Sequence, residues 1–251
     1  MILDDILKRT EKRVARLPAQ FPENPHRKQS SLATAIRNRN GKNAIIAEIK
    51  CASPSQGMIR RNVDMPVMAG LLEAKGCIAL SILTEPNFFG GSIHDIPKVK
   101  AAVSVPVLRK DFIIDERQLE ETAAFGADAV LLIAAVLKER LPSFVGRARD
   151  LGLEPLVEVH NGSEARQAVS TGADLIGINN RDLSTMTVSR STTRNLSGGI
   201  RESGKIVVSE SGMRSADDIR ELKPYCDAFL VGSSIMSQKR PEKKLEELVC
   251  A

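Results

Sequence analysis

The stretch FGADAVLLI at residues 125–133 decides how this chain folds, and it reappears as TGADLIGI at residues 171–178. In both copies a glycine and the pair Ala-Asp lead directly into a continuous aliphatic run. Glycine suits the left-handed turn that ends a helix, and an aliphatic run without polar alternation is typical of a strand buried on both faces. The stretch therefore predicts the end of a helix followed by a central parallel strand.

Eight aliphatic runs of this kind follow one another from residue 43 onward, about 20 to 35 residues apart. Each gap leaves room for one helix, and such alternation indicates parallel strands joined by crossover helices. Eight units predict an α/β fold, namely a single (β/α)8 TIM barrel. A doubly wound sheet is the alternative, but the G-x-G-x-x-G turn typical of its first strand is absent. The runs are Ala44–Ile49, Ala79–Leu83, Val105–Leu108, Ala129–Ile133, Leu156–Val159, Leu175–Ile178, Ile206–Val208 and Ala228–Val231.

Residues 1–42 lie outside the repeat, so we divide the chain into an N-terminal helical extension over residues 1–42 and a barrel over residues 43–251. Ile6 and Val14 fall on the apolar stripe of a first helix whose other faces are basic. We expect this helix to cap the barrel with its basic face solvated; contact of that face with a membrane or nucleic acid is the alternative. Residues 31–37 predict a second, short helix.

The composition excludes several classes of function. The longest apolar run, residues 129–137, has nine residues, whereas a membrane helix needs about 20. No secretion signal opens the chain, so we expect a soluble, cytoplasmic protein. The net charge of +5 comes from interspersed residues, and aromatic residues make up only 3%. Nucleic-acid binding is thus not predicted, and an anionic small-molecule substrate accounts for the basic excess.

Cysteine and histidine show no metal-binding pattern in the sequence. The four cysteines lie far apart, and His26, His94 and His160 lack the spacing of metal ligands. His160, which stands next to the Glu158 strand end, is interpreted as a supporting or surface residue. We therefore expect neither a metal nor an organic cofactor.

Polar residues lie at the ends of five of the predicted strands. Each is an even number of residues from an inward-pointing apolar or small residue of its strand, so its side chain points the same way. In a TIM barrel the inward side chains alternate, and catalytic groups collect at the C-terminal ends of the strands. A charged residue at a buried position is costly unless it is paired or used. Any single one could be a salt bridge at the rim, but together they indicate one convergent polar site. These residues are Glu48, Lys50, Lys110, Glu158, Asn179, Arg181 and Glu210.

The fourth strand contributes Leu131 and Ile133 without any charge. With Phe89 and Phe112, these residues are expected to form an apolar wall opposite the charged groups. Such a wall beside lysines and glutamates suits a substrate with an aromatic part and an anionic part.

Small residues after the last two strands predict where a phosphate would bind. Ser211 and Gly212 follow the seventh strand, and Gly232 and Ser233 follow the eighth. Backbone N–H groups approach an anion closely where side chains are small, and a helix that begins at Ser233 would direct its N-terminus at the anion. Ser53, after the first strand, is expected to close the same pocket.

Six groups of motifs follow one another along the chain. They are Ala47–Lys50 with Ser53–Ser55, Ser81–Glu85 with Phe89–Ser92, Leu108–Phe112, Val157–His160, Gly177–Leu183 and Ser209–Gly212. In this order they resemble the indole-3-glycerol phosphate synthase family. The resemblance runs from about residue 44 to residue 236, and an N-terminal extension is also a trait of that family.

The resemblance implies a (β/α)8 enzyme of tryptophan biosynthesis. The family cyclises 1-(2-carboxyphenylamino)-1-deoxyribulose 5-phosphate to indole-3-glycerol phosphate, with loss of carbon dioxide and water and without a cofactor. That substrate joins an aromatic carboxylate to a phosphosugar, which fits the site read from the residues. We expect the protein to act as a monomer.

By the same resemblance, Lys110 would be the general acid that protonates the substrate carbonyl, and Glu158 would be the general base of the dehydration. Lys50 would bind the ring carboxylate and supply a second proton, while Glu48 would position the two lysines. The resemblance assigns the sugar hydroxyls and the acid–base network to Asn179, Arg181, Glu210 and Ser211, and the phosphate to Ser53, Gly212, Gly232 and Ser233.

Two positions depart from the family pattern. Position 51 is Cys where the family usually carries Arg or Lys, and position 56 is Gln where Lys is common. Both departures remove positive charge, so we expect weaker substrate binding with the chemistry retained, and a lower Michaelis constant in Cys51→Arg. The first 20 residues contain no aromatic side chain, so the N-terminal helix is not expected to close over the substrate ring.

Two alternatives stay open at this point. Another phosphosugar barrel, such as phosphoribosylanthranilate isomerase, would share the phosphate loops but would not need Lys50 and Lys110 as a pair for a carboxylate. A non-catalytic phosphate-binding barrel would lack some proton-transfer groups, whereas Glu48 and Glu158 are both present.

Overall fold

Eight parallel strands close into one barrel in the computed structural model, which describes residues 2–22, 24, 29–39 and 41–251. Each strand pairs with its neighbours in the sequence, and the last strand pairs with the first. All eight predicted runs are strands, so the expected (β/α)8 TIM barrel is confirmed. The strands are β1 (Ile45–Ile49), β2 (Ala79–Leu83), β3 (Val107–Lys110), β4 (Ala129–Ile133), β5 (Glu154–Val159), β6 (Leu175–Asn179), β7 (Ile206–Glu210) and β8 (Ala228–Val231).

Helices occupy the gaps between the strands. Gly126 and Gly172, the glycines of the repeated joints, have φ angles of 88° and 80° and follow the ends of their helices in the left-handed conformation. No helix among the described residues is long and apolar enough to cross a membrane. The helices are α1 (Ile2–Val14), α2 (Leu32–Arg37), α3 (Met65–Ala74), α4 (Asp95–Lys100), α5 (Arg117–Ala124), α6 (Ala134–Leu137), α7 (Leu141–Asp150), α8 (Gly162–Ser170), α9 (Ser191–Glu202), α10 (Ala216–Leu222), α11 (Ser233–Met236) and α12 (Pro241–Val249), with a 3₁₀ turn at Lys138–Arg140 and a hairpin of Ala52–Ser53 and Gly57–Met58.

Side chains along the strands alternate between the barrel interior and the layer beneath the helices. Ile46, Leu156 and Val208 are buried in the interior cluster, while Ile45 and Val157 belong to the cluster between strands and helices. The interior residues form an apolar floor below the polar strand ends. The parity predicted from the sequence is therefore the parity of the structure.

The two helices of the N-terminal segment cap opposite ends of the barrel. Leu32 and Ile36 of α2 are fully buried in the interior cluster, and the Leu32 backbone N–H donates to Glu154 at the start of β5. At the other end, Arg13 of α1 donates from Nη2 to Asp111 Oδ1 at 2.8 Å, just after β3. The short helix was predicted from the sequence, but the end of the barrel that it closes was not.

A buried arginine joins β3 to the helices around it. Arg109 is 1% exposed, and its Nη2 donates to Glu121 Oε2 of α5 at 2.7 Å and to Asp111 Oδ2 at 3.0 Å. Asp111 also accepts the hydrogen bond from Arg13, so a strand and two helices meet at one charge cluster. Because Lys110 is the next residue along the strand, this cluster fixes the backbone that carries Lys110.

We expect Arg109→Leu to lower the free energy of unfolding by about 3–5 kcal/mol, because the buried carboxylates of Asp111 and Glu121 lose their shared cation. Urea unfolding of the variant and the wild type measures the difference. Arg117→Leu is the matched control, since Arg117 loses the same charge at a half-exposed position, where its partner is Asp115. A loss no larger than that of the control would contradict the structural role of Arg109.

Candidate functional site

A cavity of about 530 Å³ opens at the C-terminal ends of the strands. All the residues selected from the sequence lie in its wall: alternation along the strands turns those in the strands towards the barrel axis, and the loops that follow the strands supply the others. They are Glu48, Lys50, Ser53, Phe89, Lys110, Phe112, Leu131, Ile133, Glu158, Asn179, Arg181, Glu210, Ser211, Gly212, Gly232 and Ser233.

Lys110 lies at the centre of a cluster of carboxylates. Its Nζ donates to Glu210 Oε2 at 2.6 Å and lies 3.6 Å from Glu158 Oε2 and 3.8 Å from Glu48 Oε2. Lys50 Nζ forms a second ion pair of 2.7 Å with Glu48 Oε1. Three glutamates thus face two lysines, which leaves one net negative charge when all five groups are ionised.

Burial and mutual charge shift the pKa values within this cluster. Burial opposes the charged form of Lys110, but the carboxylates of Glu210, Glu158 and Glu48 outweigh it and raise the pKa of Lys110 above its ordinary value. Burial raises the pKa of Glu210 to about 7 against the attraction of Lys110, and repulsion from Glu158 adds to the shift. Near neutral pH the cluster therefore contains a lysine that keeps its proton and a glutamate that exchanges one.

The pKa of a second carboxylate of the cluster, Glu48, is shifted the other way. Burial would raise the pKa of Glu48, but the positive charges of Lys50 and Lys110 lower it below the ordinary range. Glu48 therefore stays ionised and draws the two lysines towards each other.

Two glycines make room for these carboxylates. A Cβ added at Gly177 would overlap Glu210 Oε1, and a Cβ added at Gly232 would overlap Glu48 Oε1. Any larger residue at either position would displace the glutamate beside it. Gly232 was predicted only as a phosphate ligand, and Gly177 was not predicted to position a carboxylate, because glycine carries no charge that strand parity could flag.

Apolar side chains form the opposite wall of the cavity. Leu131 and Ile133 are buried there, and the rings of Phe89 and Phe112 have their centroids 6.3 Å apart. The structure therefore brings the four predicted wall residues together next to the charged cluster.

The sequence does not predict that α1 closes over the substrate ring, and the structure places this helix at the cavity. Ile2, Leu3 and Ile6 of α1 line the same cavity. The first 20 residues contain no aromatic side chain, and aliphatic side chains provide the apolar surface here. The helix thus contributes to the apolar wall as well as capping the barrel.

Two loops form the predicted phosphate-binding corner. Ser211 and Gly212 have φ angles of 64° and 94°, and a left-handed conformation at a serine costs about 1–3 kcal/mol. Ser234 Oγ donates to the Met213 carbonyl at 2.8 Å and ties this loop to the one that follows β8. Helix α11 begins at Ser233. The strained turn and the helix start lie together, as a site for an anion requires.

Asn180 connects the ends of β6 and β7 and was missed by sequence reasoning. It is 2% exposed, and its Nδ2 donates to Ser209 Oγ and to the carbonyls of Glu210 and Ser211 at 3.0–3.1 Å. Its neighbour Asn179 was found because it points inward, whereas Asn180 has the opposite parity. Asn180 holds the backbone of two predicted site residues from behind.

Two arginines line the cavity in addition to the two lysines. Arg181 and Arg214 both line it, and burial together with repulsion from Arg214 lowers the pKa of Arg181. Arg214 was not predicted, since it lies on a loop to which strand parity does not apply. Of the two departures from the family pattern, Gln56 lines the cavity, while the Cβ of Cys51 lies beside Gly90. Of the two positions, Gln56 is therefore the one at which the missing positive charge is expected to weaken substrate binding.

The histidines have different surroundings. His160 is largely buried, and its ring lies between Glu158 and Glu164 at 3.3 Å and 3.2 Å. His94 is exposed and packs its ring against Phe125. His26 lies outside the described residues. Within residues 2–22, 24, 29–39 and 41–251, no group of three or more His, Cys, Asp or Glu side chains could hold a metal ion.

Solved structures with the same fold include other barrels. The tryptophan synthase of M. tuberculosis in its open form has a TM-score of 0.64 at 14% identity, over 88% of this chain and 98% of that chain. The KGPDC of Streptococcus mutans has a TM-score of 0.63 at 13% identity, over 82% of this chain and 95% of that chain. At these identities the likeness concerns the fold alone.

Sequence similarity is closer. The family model for indole-3-glycerol phosphate synthase matches residues 2–248. The indole-3-glycerol phosphate synthase of Aquifex aeolicus is 45% identical over 208 residues, which cover 82% of this chain and 80% of that protein. That of Sulfurimonas denitrificans is 39% identical over 259 aligned residues, which cover 99% of this chain and 98% of that protein. The match extends over nearly the whole chain, and this protein belongs to the indole-3-glycerol phosphate synthase family.

Proposed function

We propose that this chain cyclises 1-(2-carboxyphenylamino)-1-deoxyribulose 5-phosphate to indole-3-glycerol phosphate in the cavity at the strand ends. The observation that carries the proposal is the position of Lys110, which lies among three carboxylates between an apolar wall and two glycine-containing loops. Each part of that substrate has a chemically matching part of the cavity. The family membership supports the same reaction, as part of tryptophan biosynthesis.

The substrate would lie across the cavity in one direction. Its aromatic ring packs against Phe89 and Phe112, and its phosphate binds at the corner of Gly212 and Ser233. This arrangement brings the ring carboxylate towards Lys50 and the sugar carbonyl over the central lysine. Proximity of the two reacting carbons then favours ring closure.

Ring closure requires a proton donor at the carbonyl oxygen. As the ring carbon attacks the carbonyl carbon, a carbon–carbon bond forms, and Lys110 protonates the oxygen, which becomes a hydroxyl group. A neutral Glu210 weakens the attraction that holds the proton on Lys110, and thereby makes the lysine a stronger acid. Loss of carbon dioxide restores the aromatic ring.

The hydroxyl group then leaves as water. In this proposal Lys50 protonates it, and Glu158 accepts the proton that the substrate releases as the double bond of the indole forms. Glu48 keeps the two lysines in position, while Asn179, Arg181 and Ser211 bind the sugar hydroxyls. All steps are proton transfers and bond changes within the substrate, so the residues present can account for them.

The alternatives fit this cavity less well. An isomerase acting on a phosphosugar needs an acid–base pair but has no need for two lysines 2.7 Å and 3.8 Å from one glutamate. A barrel that only binds phosphate has no need for Lys110 among three buried carboxylates, which is costly to fold.

Three further features belong to the proposal. We assign the chemistry to residues 43–251 and the closing of both barrel ends to residues 1–42. A monomer is supported by the few large apolar side chains that are exposed within the described part of the chain, namely Met58, Val67, Leu71 and Tyr225. A cytoplasmic location is supported by the four cysteines, which are all free thiols.

We expect Lys110→Ala to reduce kcat by about 10²–10⁴-fold, because a general acid contributes an effect of that size. The chain has no tryptophan and one tyrosine, so indole fluorescence that grows during incubation with the substrate reports product directly. Lys98→Ala is the matched control, because Lys98 is an exposed lysine on α4. Equal signals from Lys110→Ala and wild type would move the essential acid to Lys50, and no signal from the wild type would favour the isomerase or the binding barrel.

Affinity for the phosphorylated product should weaken as pH rises through about 7. Glu210, whose pKa burial raises to about 7, is neutral below that pH and negative above it, so an anion binds better to the protonated form. The dissociation constant is expected to rise by at most about tenfold per pH unit. Fluorescence titration with indole-3-glycerol phosphate measures it.

Glu210→Gln stays neutral at every pH and should remove most of this dependence. The phosphate of the ligand also titrates, but it does so equally with both proteins. Glu246→Gln, at an exposed position on α12, is the control and should retain the wild-type curve. Identical curves for Glu210→Gln and wild type would exclude Glu210 as the titrating group.

A positive charge at position 56 should improve substrate binding. We expect Gln56→Lys to lower KM with little change in kcat, because Gln56 lines the cavity and is no proton donor in the proposed steps. Cys51→Arg adds the same charge at a neighbouring position outside the wall and should have the smaller effect. Steady-state kinetics compares the two variants, and a larger decrease in Cys51→Arg would contradict the structural assignment.

A further inference from the structure

The two carboxylate oxygens of Glu158 face two different cations. Oε2 faces Lys110 Nζ in the cavity at 3.6 Å, while Oε1 faces Nε2 of His160, which does not line the cavity, at 3.3 Å. Glu158 is 2% exposed. Asn179 and the carboxylates of Glu210 and Glu48 also face it from the cavity, so His160 is the one of these partners that does not line the cavity.

His160 is held in place by the start of helix α8. Its backbone N–H donates to Glu164 Oε2 at 2.8 Å, and its ring Nδ1 lies 3.2 Å from the same oxygen. Asn161 caps the helix and donates from Nδ2 to Glu164 Oε1 at 2.5 Å. The imidazole is thus fixed by a helix terminus, with Nε2 directed at Glu158.

Nε2 has no hydrogen-bond partner of good geometry and is buried. At 3.3 Å from Glu158 Oε1 the two groups are at ion-pair distance, but their alignment falls short of a hydrogen bond. The contact is therefore mainly one of charge with charge. A neutral side chain of similar size cannot replace it.

The two carboxylates that face the ring keep it charged. Burial would lower the pKa of His160, but Glu158 and Glu164 raise it to about 10. Conversely, burial would raise the pKa of Glu158, and the positive charges of His160 and Lys110 hold it well below its usual range. The imidazolium and the glutamate stabilise each other's charged forms at neutral pH.

We propose that His160 is a positioning residue for the reaction. Held in place by Glu164, it presents a fixed positive charge to Oε1 of Glu158. This charge keeps the Glu158 carboxylate ionised and directed into the cavity. The inference rests on the proposed function, in which Glu158 accepts a proton. A base that is already protonated accepts none, so the charge on His160 decides over which pH range the base works.

The test is the pH dependence of kcat in His160→Gln at saturating substrate. Glutamine keeps a similar size and a donor but not the charge, while the burial of Glu158 remains. The pKa of Glu158 therefore rises, and the acid limb of kcat should move upward by about one to three pH units. At alkaline pH, where Glu158 is ionised in both proteins, kcat should recover towards the wild-type value with KM little changed.

Two further variants accompany this measurement. Glu164→Gln removes the group that holds the ring but leaves the imidazolium charged over the acid limb, so the limb should move less than in His160→Gln. His94→Gln makes the same chemical change at an exposed histidine whose ring packs against Phe125, and it should leave the limb in place. The substrate is the same throughout, so its own ionisations cancel in the comparison.

An acid limb that does not move in His160→Gln overturns the inference, even if the variant melts at a lower temperature. Glu158→Gln, assayed in parallel, separates this failure from that of the proposed function. If Glu158→Gln has the kcat of the wild type, Glu158 is not the base, and the proposed role of His160 is then also wrong. If Glu158→Gln is inactive and the limb of His160→Gln still does not move, only the role of His160 is wrong.

Discussion

The ammonium group of Lys110 lies among three buried carboxylates and offsets part of their mutual repulsion, and the geometry of the whole cavity depends on that contact. Without it, Glu48, Glu158 and Glu210 would repel one another in a space that water cannot fully solvate. The surrounding backbone is adapted to this cluster, since Gly177 leaves room for one of the carboxylates. The apolar floor below gives the charges no other partners. Catalytic chemistry and folding therefore make opposite demands on the same residues, and the lysine satisfies both.

A second charge cluster lies directly behind the first. Successive residues of β3 point to opposite faces, so Lys110 enters the barrel and Arg109 enters the layer beneath the helices. Each cation is surrounded by carboxylates, and Asp111 extends the outer cluster to Arg13 of α1. The strand that carries the proposed acid is thus fixed from behind by ionic contacts. A single β-strand places one cation for chemistry and the adjacent one for rigidity.

Most of the barrel and its polar lining followed from the sequence because two local rules were sufficient. Aliphatic runs marked the strands, and parity marked which residues at their ends point inward, such as Glu158. These rules do not apply to loops, so Arg214 was missed, and they cannot relate residues far apart, so the contact of Arg13 with Asp111 was missed. Asn180 was missed because it acts through the backbone from the outward face. The wall formed by α1 depends on docking, which the helix pattern alone does not determine.

The two helices that cap opposite ends of the barrel also constrain the order in which the molecule can assemble. α2 docks onto Glu154 in β5, and Arg39 just after it donates to the carbonyl of Asp227 at the entry to β8. β1 likewise needs β8 as its second neighbour. The N-terminal helical segment and β1 therefore gain the last of their contacts only when β8 has been synthesised. Until then part of their apolar surface lacks its native cover, and closure of the ring between β8 and β1 is a late event.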